Sequence, residues 1–162
     1  MKVKVILLVI LLSALCFSSY AKAGLGGSYT YNLSTKSRSM VSFTARTDKS
    51  PWCVSFNAFL QNNGMSLYLD NWFVNERLAE HLDYYVLWGM NFGAVFDDDN
   101  IQGFTGARFG AGLDFFLLKR HLEIFTQFVW NPYFGIDKKD WNFSPIIRPV
   151  NFPCTAGIRI WF

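Results

Sequence analysis

Five charged side chains at alternating strand positions are the residues of this sequence best suited to chemistry. They are Arg46, Asp70, Asp114, Glu123 and Arg159, and each lies on the polar side of a segment whose alternate residues are apolar. Because a buried ion must be compensated, we expect a charge network, with Glu123 paired to Arg159. A structural plug is the favoured interpretation of this network, and a gated ion path or proton relay is the alternative.

Catalytic chemistry has little support in the sequence. A catalytic site needs a nucleophile and a base that lie together. Both histidines, His81 and His121, fall in predicted turns, and neither occurs in a His-x-Ser setting. No metal-ligand spacing or phosphate-cradling glycine loop is present in the sequence. We therefore predict no enzyme activity, no catalytic residue, no metal site and no cofactor.

The elements that would position the five charges are strands, because apolar residues recur at every second position. Eight such segments are predicted, at residues 24–33, 39–46, 52–61, 65–74, 83–96, 104–118, 122–131 and 152–162. Residues 75–82 are predicted to form one or two helical turns capped by Asn75. Loops are predicted at residues 97–103 and, longest of all, at residues 132–151.

The distribution of charge between the two faces of these strands indicates which face is inside. The apolar faces contain no charge, whereas the opposite faces contain the charged residues. A Lys or Arg that faced lipid at the middle of a bilayer would cost about 2–4 kcal/mol. The pattern therefore predicts an all-β fold, an eight-stranded antiparallel up-and-down transmembrane β-barrel with apolar residues outside and side chains filling its lumen. A soluble lipocalin-like barrel would have the opposite pattern.

Composition agrees with a barrel. The chain is 51% hydrophobic and 19% aromatic. No apolar run reaches the roughly 18 residues that a membrane helix needs. Aromatic residues favour strands and the interfaces of a membrane.

The first 23 residues have the features of a cleaved secretory signal peptide. Lys2 and Lys4 precede an apolar run at residues 5–17, and the small residues Ala21 and Ala23 flank Lys22 as an A-x-A cleavage site. An uncleaved anchor, or a lipoprotein modified at Cys16, is the alternative. The signal contains three of the 15 basic residues, which leaves 12 basic and 12 acidic residues in the barrel domain, residues 24–162. A neutral domain predicts no nucleic-acid partner.

Two cysteines follow the signal, Cys53 and Cys154. An exported protein could pair them. They fall on opposite faces of strands that are not neighbours, so we predict no disulfide.

The predicted loops at one end of the barrel offer the remaining surface for function. One carries the acidic run Asp97, Asp98 and Asp99, and another carries Lys138, Lys139 and Trp141. Charge runs in loops are usually only solvated. The functional alternative is a surface that binds an extracellular protein ligand.

The C-terminal stretch resembles the C-terminal signal of bacterial outer-membrane β-barrels, which the insertion machinery reads. That signal is a polar residue, a glycine two places on, an apolar residue and a terminal aromatic. Thr155, Gly157, Ile160 and Phe162 match it. The resemblance implies a bacterial outer-membrane location, with outer-membrane lipid and the barrel insertion machinery as partners.

The whole region after the signal resembles the small eight-stranded OmpA/OmpX/OmpW-type barrels, and more closely a family of small spirochaetal outer-membrane barrels. The similar segments are Gly24–Gly27, residues 106–113, residues 122–127 and residues 156–162. These motifs imply fold and location and bring no functional residues with them. Two functions are expected for a barrel with a filled lumen and inward glycines. One is a structural or surface-interaction protein, and the alternative is a transport barrel for small or hydrophobic solutes, suggested by the inward glycines of the fifth and sixth strands.

Overall fold

The computed structural model describes residues 21–33, 39–97, 100–139 and 142–162. A short 3₁₀ turn, Leu118–Arg120, joins the sixth strand to the seventh. None of the helical segments in these ranges is long and apolar enough to cross a membrane. The strands are β1 (Ala23–Asn32), β2 (Met40–Thr47), β3 (Trp52–Phe59), β4 (Asn63–Ala79), β5 (Leu82–Asp97), β6 (Asn100–Leu117), β7 (Leu122–Trp130), β8 (Tyr133–Lys139), β9 (Asn142–Arg148) and β10 (Pro153–Trp161).

Eight of these strands close into a barrel. Antiparallel pairing runs in the order β5-β4-β3-β2-β1-β10-β7-β6, and β5 pairs with β6 to complete the ring. The strand β10 joins the ring between β1 and β7, so the first and last strands of the barrel are neighbours. The closed eight-stranded antiparallel barrel expected from the sequence is confirmed.

The alternation of side chains follows the predicted faces. In β7, Glu123, Phe125 and Val129 are buried in the lumen, whereas Ile124 and Phe128 are exposed on the outside. The other barrel strands alternate in the same way. Within the described barrel strands, up to Phe73 in β4, the outward positions carry no charged residue. The fold therefore has an apolar exterior and a polar, charged interior.

Residues 75–82 do not form the predicted helical turns. The strand β4 continues to Ala79, after a bulge between Trp72 and Val74, and pairs with β5 as far as Ala79 and Leu82. The cause is the partner strand, because a helix here would leave the first residues of β5 without hydrogen bonds on that side. The hairpin formed by Val74–Leu82 extends past β3 at the end of the barrel that holds the turns, which we call the turn end.

The opposite end, which we call the loop end, also differs from the prediction. The loop predicted at residues 97–103 is shorter among the described residues, because β5 reaches Asp97 and β6 begins at Asn100, while Asp98 and Asp99 lie outside them. Within the predicted loop at residues 132–151, Tyr133–Lys139 and Asn142–Arg148 pair as β8 and β9, and β8 also pairs with residues 100–106 of β6. Pro132 lacks a backbone N–H and follows the end of β7, after which the chain resumes pairing with β6. The prolines and lysines of this segment made it look like a loop in the sequence.

Two adjacent glycines in β1 provide a test of how closely the strands pack. A Cβ on Gly26, which faces inward, would lie 2.0 Å from the backbone oxygen of Ile158 in β10, whereas a Cβ on Gly27 would meet only Ser42 O at 3.6 Å. Only the inward position is too close to its neighbour for a side chain.

We expect Gly26→Ala to lower the free energy of unfolding by about 1–3 kcal/mol, because the neighbouring backbone must move. Gly27→Ala should change the free energy of unfolding by no more than about 0.5 kcal/mol, as at ordinary surface positions. Urea titration of the refolded protein in detergent micelles measures both values. Equal losses in the two variants would contradict this account of the β1–β10 contact.

Candidate functional site

Among the described residues, three ion pairs have both partners buried in the lumen, and they contain equal numbers of positive and negative side chains. All six partners are at most 8% exposed. The pairs are Arg159 with Glu123, Arg46 with Asp114, and Arg108 with Asp70. The five charges singled out in the sequence all face the lumen, and Arg108 completes the set.

The pairing of Glu123 with Arg159, expected from the sequence, is found at the turn end. The two residues are directly opposite in the register of β7 and β10. Arg159 donates to Oε1 of Glu123, and Trp161 Nε1 donates to Oε2 at 2.6 Å. A second guanidinium nitrogen of Arg159 donates to Thr44 Oγ1 at 3.1 Å. The carboxylate is therefore held by two donors, one of them charged.

Arg46 lies between an acid and an aromatic stack. Its NH1 is 3.8 Å from Oδ2 of Asp114, which is on the other side of the lumen in β6. The guanidinium carbon also lies 3.9 Å from the centroid of the Trp72 ring, and Trp72 stacks on Tyr85 with 3.6 Å between centroids. An arginine over an indole face is stabilised by a cation–π interaction. The Arg46 charge is therefore balanced from two directions.

Sequence reasoning missed Arg108 as the partner of Asp70. Arg108 donates from Nε to Oδ1 at 2.7 Å and from NH2 to Oδ2 at 3.1 Å, the bidentate geometry that arginine favours with carboxylates. The two residues lie on β4 and β6, with Gly89 of β5 between them in register. A Cβ on Gly89 would lie 2.4 Å from Asp70 Oδ1. The inward glycine between an acid and a base was the signal available in the sequence.

The other inward glycines of β5 and β6 also adjoin large side chains. A Cβ on Gly93 would lie 2.3 Å from the Phe104 ring, and one on Gly112 would lie 2.3 Å from the Tyr85 ring. Two cavities in the lumen measure about 30 Å³ and about 10 Å³. One water needs about 10–15 Å³. The larger cavity is therefore of the size of two or three water molecules, and the smaller one of at most one.

Asparagines cross-link the strands at the loop end of the lumen. Asn32 donates to Asn151, and Asn91 donates to Asn131. Asn151 Nδ2 also donates to the backbone oxygen of Asn131 at 2.8 Å. Deeper in the lumen, the hydroxyls of Thr30 and Thr155 are 2.7 Å apart. This chain of amides ties β1 and β5 to the segments around β7 and β10.

The residues proposed for a binding surface are only partly described. Asp98, Asp99 and Trp141 lie outside the described residues. Asp97 ends β5, and Lys138 and Lys139 belong to β8. The register places Asp97 opposite Asn100 and Asn100 opposite Lys139. The backbone positions of Asp97 and Lys139 therefore lie on the two strands that flank Asn100.

The ends of the chain agree in part with the sequence motifs. Thr155 and Gly157 face the lumen, whereas Ile160 and Phe162 are exposed outward. Residues 1–20, which hold most of the predicted signal peptide, lie outside the described residues. Ala21 precedes the first strand, and Ala23 already pairs with Thr47. Cleavage after Ala23 stays a prediction.

The histidines and cysteines occupy separate places. His81 and His121 are exposed at the turn end, and the Nδ1 of His121 lies 3.1 Å from the Trp161 backbone oxygen. Cys53 faces the lumen and Cys154 faces outward, both as free thiols, as their opposite faces led us to expect. Among the described residues, no group of three His, Cys, Asp or Glu side chains could hold a metal ion.

Comparison with solved structures relates the fold to outer-membrane barrels. The crystal structure of the N-terminal β-barrel domain of Pseudomonas aeruginosa OprF is similar with a TM-score of 0.54 and 14% identity, covering 87% of this chain and 97% of that one. A major outer membrane protein from Thermus thermophilus aligns over 88% of this chain and 100% of that one, with 10% identity and a TM-score of 0.49, too low to support an argument. No protein-family model and no curated protein matches the chain. At this identity the likeness to OprF concerns the fold alone.

The Glu123–Arg159 pair generates a test of charge compensation. We expect Glu123→Gln to lower the free energy of unfolding by about 3–5 kcal/mol, because Arg159 would stay buried without an opposite charge beside it. The control is Glu76→Gln, which removes an acid at an exposed position where the carboxylate only accepts a hydrogen bond from Tyr84. The control substitution should change the free energy of unfolding by no more than about 0.5 kcal/mol. Urea titration compares the two, and similar losses would show that burial of the pair is not what matters.

Proposed function

We propose that this chain is an integral protein of the bacterial outer membrane, a structural or surface-interaction barrel whose lumen is filled and does not conduct. The observation that carries the proposal is the separation of charge. Among the described residues, three ion pairs have both partners buried in the lumen, whereas the outward positions of the described barrel strands are uncharged up to Phe73. Water would not favour so apolar an exterior, whereas the hydrocarbon of a bilayer requires it.

Aromatic side chains at the two ends of the apolar exterior support a membrane position. Trp52, Phe73 and Phe162 lie outward at the turn end, with 41%, 58% and 73% of their surface exposed. Phe96 and Trp130 lie outward toward the loop end. Aromatic belts at both membrane–water interfaces are typical of membrane barrels.

Contacts across the lumen support a filled interior. The Arg46–Asp114 pair joins β2 to β6, which are not neighbours in the ring. The alternative, a transport barrel for small or hydrophobic solutes, was motivated by the inward glycines of β5 and β6. The rings of Phe104 and Tyr85 occupy the space beside Gly93 and Gly112, which argues against an open path there. For the same reason we favour a structural plug over a gated ion path.

The outer membrane is the location that best fits the fold. The OprF barrel domain has the same fold, and the predicted signal peptide would export this chain. We propose that the insertion machinery reads Thr155, Gly157, Ile160 and Phe162 and that outer-membrane lipid surrounds the barrel. A ligand from the host or environment would bind at the loop end. The closer resemblance to small spirochaetal barrels stays a hypothesis that rests on the four segments quoted for it.

A pair of arginine substitutions tests the membrane position. Met90 faces outward near the middle of β5, and Leu78 is exposed on the hairpin that extends past β3. We expect Met90→Arg to lower the free energy of unfolding in lipid vesicles by about 2–4 kcal/mol, because its charge would face hydrocarbon. Leu78→Arg should cost no more than about 1 kcal/mol, the value near an interface.

The measurement is equilibrium folding from urea into vesicles, followed by tryptophan fluorescence. Both variants add the same side chain at an exposed apolar position, so they differ only in depth. If Met90→Arg folded into vesicles as well as wild type, the outward face would not be in hydrocarbon and the proposed function would be wrong.

A further inference from the structure

The β8–β9 hairpin extends one wall of the barrel at the loop end and borders a pocket. Its two strands are not part of the eight-stranded ring, and they extend the sheet from the part of β6 that lies at the loop end. The pocket has a volume of about 280 Å³. Its lining residues include Gln102, Phe104, Tyr133, Gly135, Ile146 and Arg148.

The floor of this pocket is aromatic. The rings of Phe104 and Tyr133 lie 5.4 Å apart, and Phe59 lies 6.1 Å from Phe104 on the lumen side. All three also line the 30 Å³ cavity below. Gly93 leaves the room in which the Phe104 ring lies. The pocket is thus separated from the interior by aromatic rings and opens toward the loop end.

Arg148 is the charged residue among the described side chains that line the pocket, and it differs from the arginines of the lumen. Arg46, Arg108 and Arg159 each face an acid. Arg148 lies opposite Tyr133 in the β8–β9 register, is exposed, and forms no ion pair with the side chains that the structure describes. In such a pocket a guanidinium can offer a carboxylate two parallel donors, and the aromatic rings can offer an apolar body a flat surface.

We propose that this pocket binds a small organic anion with a flat apolar body, an aryl carboxylate, with the carboxylate on Arg148 and the ring on Phe104 and Tyr133. The volume of about 280 Å³ is many times the roughly 10–15 Å³ that one water needs, so the pocket has room for a small aromatic ligand such as benzoate. The inference rests on the proposed surface-binding function and adds to it the chemical class of the ligand.

The test uses three probes of nearly equal shape, namely benzoate, benzamide and benzylamine. Each is titrated into the full barrel, refolded in zwitterionic micelles, and binding is followed by saturation-transfer NMR. We expect saturable binding of benzoate, weaker binding of benzamide and no saturable binding of benzylamine. Arg148→Gln should weaken benzoate binding about tenfold, the loss expected for one charge-assisted contact.

Two further variants separate the pocket from general effects of charge and folding. Lys49→Gln removes one positive charge from the exposed turn between β2 and β3 at the other end of the barrel, and benzoate binding should not change. Ile146→Trp keeps Arg148 and fills the pocket, so it should weaken binding of both benzoate and benzamide. Ile146 lies in β9, outside the ring, so the barrel itself is not altered.

Equal benzoate affinity in Arg148→Gln and Lys49→Gln would overturn the inference. A benzoate signal that rises linearly with concentration, without saturation, in every variant would also overturn it. Either result would leave the proposed membrane barrel intact if the protein still folds into vesicles. Loss of folding into vesicles by the wild type would count against the proposed function itself, whatever the probes do.

Discussion

Compensation of buried charge in the lumen is the constraint on which the rest of this structure depends. An arginine or carboxylate among packed strands is tolerated only beside an opposite charge, because its desolvation is otherwise too costly. The three pairs meet this requirement over different distances around the ring. Glu123 and Arg159 lie on adjacent strands, Asp70 and Arg108 are separated by one strand, and Arg46 and Asp114 meet across the lumen. Only a closed barrel brings all of these partners together.

The same contacts explain why the lumen and the exterior have such different surfaces. A side chain that reaches past a neighbouring strand uses the space left by an inward glycine of that strand, as Asp70 does beside Gly89. With the charges paired inside, the outward positions can be apolar throughout the barrel strands. At the loop end, the hairpin that lies outside the ring brings Arg148 to a pocket lined by aromatic rings. Structure and proposed function therefore follow from one separation of polar from apolar residues.

Much of this arrangement could be predicted from the period of two. Alternation predicts the strands and their faces. The pairing of Glu123 with Arg159 is predicted because both residues lie near the same end of adjacent strands. The partner of Asp70 could not be found in this way, because it depends on the register of β4 and β6 across Gly89. The hairpin of β8 and β9 was missed because its prolines and lysines are typical of loops, while pairing with β6 overrides that composition. The continuation of β4 was missed because residues 75–79 look helical until β5 supplies the hydrogen bonds.

The measurement that tests this account most directly is ion conductance of the wild-type protein in a planar lipid bilayer. Folding and insertion would first be verified by the faster gel mobility of the unboiled protein, and a large porin would serve as the positive control for channel detection. A lumen held closed by paired charges and stacked rings predicts current no different from that of the protein-free bilayer. Reproducible channel steps from the folded wild type would contradict the filled lumen and would favour the transport barrel.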